Sequence, residues 1–415
     1  MPQTAPNTGL VLSGGGMRGA YEVGVLRGFI EVLGLGPDDP APFSTFVGTS
    51  VGALNSAYLA ANAHRGDMDI DGLVAIWHDL KLREHLKLDL FGWWRPIRRW
   101  LKGDELRRAA STHPGQAILD PGPLDDLVHY NLPWETLHEN VQSGVVRALI
   151  TPALNVSTGQ TWVFAELAPG VEFPATRDPF RKRVITRITP DHVLASAAIP
   201  AIFPPRRVEG RYFYDGGVRF NTPISPAIRT GTDRLLVISP IRTLPTPARV
   251  HEAQPELSFL AGKLLNAVIQ DPVAHDLQVL GRFNKLMAVL EDTLSPEELQ
   301  RVQRAMTENR GLPYRRLDVL SIQPTADLGR ISVELLRRSL PDMDVGPLTR
   351  RLLERASGGP NSTSEADWAS YIIFDGALAE KLIDIGHADA VARADEIRAM
   401  FGEQKKVSNV VSLFA

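Results

Sequence analysis

The chain has 415 residues, of which 44% are hydrophobic and 22% charged, enough apolar content for a large core. A net charge of −3 lacks the basicity of a nucleic-acid binder, so no nucleic-acid partner is expected. With no cysteine, disulfides, thiol catalysis and cysteine-ligated zinc or iron–sulfur centres are excluded.

In chain order, "MPQTAPNTG" has neither a basic start nor an apolar run, so no signal peptide is expected. Leu10–Ser13 predicts a short buried strand, followed by the turn "GGGMRG" and a helix from about Arg18 to Leu33. Phe43–Val47 predicts a second buried strand, parallel to the first through a right-handed crossover. The turn "GTSVG" then opens a helix through Ala63. The uncharged stretch Pro40–Ala63 is long enough to cross a bilayer. Its load of Ser44, Thr45, Thr49, Ser50, Asn55, Ser56 and Asn62 argues instead for strand, turn and helix. A cytoplasmic protein with at most peripheral membrane contact is the expectation.

Residues 67–143 read mostly helical, interrupted by "LDLFGWWRPIRRWLKGDELRR". Strands are expected over 145–156 and 159–164. "TPDHVLASAAIP" predicts a helix with Thr189 as N-cap and Pro190 at its first position. "RRVEGRYFYDGG" predicts a hairpin turning at Glu209-Gly210 and ending at Asp215. Further strands are expected at 234–240 and in "RRLDVLSIQP". "SPEELQRVQRAM" carries a capping box, Ser295 with Glu298. A last long helix is expected from about Trp368 to Ile385. This alternation predicts a layered α/β fold, with a mainly parallel central sheet sandwiched by helices.

Two turns carry chemistry. Gly48-Thr49-Ser50-Val51-Gly52 is G-x-S-x-G between a buried strand and a helix, the context of a nucleophile elbow. A serine on so sharp a turn needs glycine at both flanks to avoid clashes, and the helix N-terminus favours a developing alkoxide. The bland alternative is a small-residue turn that packs helix on sheet. Gly14, Gly16 and Gly19 satisfy the dinucleotide pattern G-x-G-x-x-G. That reading wants an acid at the end of the second strand, about 20 residues on, to hold a ribose. The strand ends "FVGTS" instead. The loop's N–H groups therefore suit an oxyanion near Ser50.

A base for that serine is less obvious. His192 sits in an apolar helix and reads as structural. Asp215, ahead of Gly216 and Gly217, is the better candidate, although a plain D-G-G turn fits as well. Asn155 and Asn221 read as structural polar groups at strand and turn ends.

Taken together, Ser13-Gly14-Gly15-Gly16-Met17-Arg18-Gly19, Gly48-Thr49-Ser50-Val51-Gly52 and Asp215-Gly216-Gly217 resemble the patatin-like phospholipase family. "ASAAIPAIFPP" (195–205) and "NTP" (221–223) resemble its supporting blocks, and "LIDIGHADA" (382–390) is similar to its closing helix end. The resemblance implies a patatin-like catalytic domain over 9–240. It implies a helix-rich extension over 241–415 packed on the same domain. It further implies Ser50 as nucleophile, Asp215 as its partner in a dyad without histidine, and backbone N–H groups of Gly15, Gly16 and Arg18 as the oxyanion hole. Gly14, Gly19, Gly48, Gly52, Gly216 and Gly217 would support these turns. The activity implied is lipid acyl hydrolysis through an acyl-enzyme, with no metal and no cofactor, and phospholipid as the expected substrate. An aspartate is a weak base, with an ordinary pKa of about 3.9. Burial beside Tyr212, Phe213 and Tyr214 is expected to raise it.

Trp93, Trp94 and Trp100 alternate with Arg95, Arg98 and Arg99. They suit either a membrane interface or a helical cap with buried tryptophans and wet arginines. Three rivals stand beside the hydrolase reading. They are a lipid-binding module without turnover, a nucleotide-binding α/β protein, and an α/β-hydrolase using His251 or His387.

Overall fold

The computed structural model describes residues 7–80, 121–200, 202–242, 279–310, 316–339, 371 and 374–402. The Trp/Arg-rich stretch, with Trp93, Trp94, Arg95, Arg98, Arg99 and Trp100, lies outside the described residues, as does His251.

A mostly parallel sheet flanked by helices organises the chain. Its first strand, β1 (Thr8–Leu12), is buried along its whole length. It runs parallel to β2 (Thr45–Gly48) on one side and β8 (Arg234–Ile238) on the other. Such a central strand has both faces covered, which is why "LVL" is continuously apolar. Beyond β8 lies β9 (Asp318–Ile322), again parallel. On the other flank, β3 (Ala148–Asn155) runs parallel to β2. Next come β4 (Thr161–Leu167), antiparallel to β3, and the edge strand β5 (Arg181–Ile185). The order is β5-β4-β3-β2-β1-β8-β9. The hairpin β6 (Arg206–Val208) and β7 (Arg211–Asp215) joins through β7, which lies antiparallel to β3 with Asp215 opposite Ala153. Its turn puts Glu209 at φ 48° and Gly210 at φ 80°, two left-handed residues in succession, as a two-residue hairpin turn requires.

Alternation along β1 divides the core. Leu10 and Leu12 face the helices α1 (Gly19–Leu33) and α2 (Val51–Ala61). Val11 faces the opposite layer, with Phe220 and Ile224. Each fully buried Leu or Phe contributes about 1.5–3 kcal/mol, so these two layers dominate the stability.

Between α2 and β3 the described helices are α3 (Ile70–His78), α4 (Gly122–Tyr130) and α5 (Trp134–Ser143). Next, α6 (Pro190–Ser196) starts with Thr189 and His192 in a reciprocal capping box. His192 is buried edge-on against Phe164, and desolvation lowers its pKa, which keeps it neutral and structural. The Ser295–Glu298 box forms at the start of α7 (Pro296–Arg310).

Of the helix expected from Trp368 to Ile385, residues 368–370, 372 and 373 lie outside the described residues. α8 (Gly376–Val391) starts where the Asp375 carboxylate caps it by accepting from the Ala377 and Leu378 N–H groups, and it runs past Ile385. α8 packs on α1 backbone to backbone. A Cβ on Gly24 would lie 2.0 Å from the Ile383 carbonyl, and one on Gly386 2.2 Å from that of Tyr21. Thus residues far beyond 240 supply both a sheet strand, β9, and a helix against the first helix of the chain.

Candidate active site

The carboxyl ends of β1 and β2 and the end of β7 meet on one edge of the sheet, where sites form in open α/β folds. Ser50 follows β2 with φ 55° and ψ −125°, an unfavourable conformation for a residue with a Cβ. The strain is held by its surroundings. A Cβ on Gly48 would lie 2.0 Å from the Gly52 carbonyl, and one on Gly52 2.5 Å from the Leu12 carbonyl. A side chain at either position would therefore meet neighbouring backbone. The Ser50 N–H donates to Ser196 Oγ at 3.0 Å, so α6 also pins the turn. Nothing local in "ASAAIP" marked that serine.

Asp215 ends β7. Its backbone N–H donates to the Ala198 carbonyl at 2.8 Å, and its Oδ1 accepts from the Gly217 N–H at 2.6 Å. Burial pushes its carboxyl up to about 7, against the opposing pull of hydrogen bonds from the Ser50 hydroxyl and the Gly217 N–H. The source of that burial differs from the expectation. Tyr212 is 47% exposed and Tyr214 is half-buried, because strand alternation turns both away from the side that Phe213 and Asp215 share.

The glycine loop crosses above. The Ser13 N–H donates to the Ile238 carbonyl at 3.2 Å and the Gly14 N–H to the Asn221 carbonyl at 3.3 Å. The Arg18 N–H, expected to face the oxyanion, donates instead to the Gly15 carbonyl at 3.1 Å, because Gly16–Arg18 tightens into a 3₁₀ turn. The N–H groups of Gly15 and Gly16 donate to no acceptor among the described residues. Asn221, expected to be merely structural, returns a side-chain hydrogen bond to the Gly14 carbonyl at 3.3 Å and borders the cavity.

Gly15, Gly16, Ser50, Asp215, Asn221 and Tyr371 all line one small cavity. Beside it, Ser50 and Gly16 also border an apolar pocket walled by Leu54, Trp77, Leu124 and Phe203 among others. None of the described histidines lines either space. His387 sits near the far end of α1, with Nε2 2.6 Å from Glu31. Among the described residues no group of three or more His, Asp or Glu side chains could hold a metal ion. No helix among them is long and apolar enough to cross a membrane.

Two solved structures overlap this chain loosely. One is a crystal structure of VipD from Legionella pneumophila, at 14% identity and a TM-score of 0.29, covering 92% of this chain and 67% of that one. The other is human GIVD cytosolic phospholipase A2 in complex with methyl gamma-linolenyl fluorophosphonate, at 15% identity and a TM-score of 0.35. That overlap covers 96% of this chain and 59% of the other. The family model described as "Patatin-like phospholipase" aligns to residues 10–228, more than half of the 415. The chain belongs to the patatin-like phospholipase family, and lipid hydrolysis is the activity that membership carries.

Proposed function

We propose that the protein is a serine lipid acyl hydrolase working through a Ser50–Asp215 dyad, with phospholipid as its substrate class. The observation that carries this reading is the meeting of three unusual groups in one cavity. These are a serine held at φ 55°, a buried aspartate raised to about 7, and the uncommitted N–H groups of Gly15 and Gly16.

Asp215 takes the proton of the Ser50 hydroxyl as Ser50 Oγ attacks the ester carbonyl carbon. The carbonyl oxygen gains the negative charge and is met by the Gly15 and Gly16 N–H groups. When the tetrahedral intermediate collapses, the C–O bond to the alcohol breaks, and Asp215 returns the proton to that alkoxide. The acyl chain, now esterified to Ser50, lies toward the apolar pocket beside it. A water then loses a proton to Asp215 and attacks the acyl carbon, releasing the fatty acid and regenerating Ser50. A base with a pKa near the working pH suits this cycle, because it must both take and return the proton.

Fluorophosphonate labelling tests the reading directly. Wild type is expected to be labelled and to hydrolyse phospholipid vesicles, and Ser50→Ala to do neither. Retained hydrolysis in Ser50→Ala would refute the proposal. Vesicle binding without labelling or turnover in wild type would favour a lipid-binding module.

A further inference from the structure

Tyr371 lies 143 residues beyond the end of the family match at residue 228, yet it forms part of the catalytic cavity. It is 1% exposed. It touches the glycine loop in three ways. Its carbonyl oxygen sits where a Gly16 Cβ would be, at 2.1 Å, with Gly16 itself at φ 56°. Its hydroxyl accepts from Arg18 Nη1 at 3.0 Å. Its ring lies under the Arg18 guanidinium, 4.2 Å from Cζ to the ring centroid. Arg18 is itself 4% exposed, so both partners of this contact are buried.

We infer that Tyr371 is a positioning residue, clamping the loop 14–18 so that the Gly15 and Gly16 N–H groups point into the cavity. This rests on the oxyanion role proposed above. The physical need is clear. Two consecutive glycines have soft backbones, and a peptide-plane rotation would turn a donor away from the reacting oxygen. Among the described residues the loop is further tied by Ser13 and Gly14 at one end and by the Arg18 N–H to the Gly15 carbonyl. The Tyr371 carbonyl leaves no room for a side chain at Gly16, and Arg18 is held through both the ring and the hydroxyl. The surrounding fold thus lends the motif a part that the motif does not contain.

The test uses the full chain with a soluble ester, comparing Tyr371→Phe and Tyr371→Leu with wild type and Ser50→Ala. Tyr371→Phe keeps the ring under Arg18 and is expected to fold normally. Its kcat is expected to fall about 10-fold, the cost of a modest misplacement of catalytic donors, with KM unchanged. Tyr371→Leu is expected to fall further, and the fluorophosphonate labelling rate to fall in step with kcat. The acid limb of the pH profile is expected to stay in place. Unchanged kcat in both variants, or a limb shifted to lower pH on an unchanged plateau, would overturn the inference. The second result would mean that Tyr371 only keeps water from Asp215. Activity surviving in Ser50→Ala would instead defeat the underlying dyad reading, so the two failures are distinguishable.

Discussion

Ser50 and Asp215 are each held in a state that costs stability, and each cost predicts an outcome. The left-handed backbone of Ser50 is one that glycine adopts freely. Ser50→Gly is therefore expected to stabilise the protein by about 1 kcal/mol while abolishing turnover, read as a raised urea midpoint. A lowered midpoint would mean that the turn stores no strain. Asp215 must be ionised to accept a proton, and its carboxyl is pushed up to about 7 by burial. Activity is thus expected to rise with pH through about 7 and to level off above it, falling about 10-fold per unit on the acid side. A profile of kcat/KM from pH 5 to 9 checks this. A limb near the ordinary carboxylate range would show that Asp215 is either solvated or not the base.

Elements were legible where their causes are local. Gly48-Thr49-Ser50-Val51-Gly52 announces its turn because a crowded strand-to-helix corner admits few residue types. Thr189-Pro190 announces a helix start, and Glu209-Gly210 a hairpin, for the same reason. Asp375-Gly376 was equally local, and an N-cap reading there would have placed the start of α8. Other parts have distant causes. Ser196 meets the Ser50 N–H only because α6 folds back over the sheet edge, and Tyr371 meets Gly16 only through the tertiary fold. The glycines of α1 belong to this second kind. Gly24 reads as a helix weakener, but it is where α8 touches α1, with the Ile383 carbonyl 2.0 Å from a would-be Cβ. Gly24→Val is expected to destabilise by about 2 kcal/mol or more, although valine has the better intrinsic helix propensity. Gly36→Ala, whose would-be Cβ is 3.8 Å from its nearest neighbour, is the uncrowded control, measured by the same urea titration.

At the scale of the whole molecule, two buried carboxyls among the described residues are raised and make stability fall as pH rises. Glu22 of α1 is fully buried and pushed well above its ordinary range by desolvation, although Asn55 and the Ser13 N–H pull the other way. Its Oε2 accepts from Asn55 Nδ2 at 3.0 Å, and Asn55 Oδ1 accepts from Trp77 Nε1 at 3.2 Å. The network therefore joins α1, α2 and α3 directly behind the glycine loop. Asp215 is raised in the same direction. In the unfolded chain both groups ionise in the ordinary carboxylate range, whereas in the folded protein they hold their protons to higher pH. Between those limits the unfolded state binds fewer protons, so stability falls as pH rises. The paired carboxylates Glu298, Glu334 and Glu396 are lowered, but they ionise at or below the ordinary carboxylate range, so they add no slope at higher pH. His192, lowered by desolvation, acts in the opposite sense at the acid end of the range. The buried pair should win. Wild-type Tm is expected to decline from pH 5.5 to pH 8, and Glu22→Gln with Asp215→Asn to flatten that decline. Calorimetric scans at the two pH values decide it. An equal slope in the double variant would show that the buried carboxyls do not govern the molecule's response to pH.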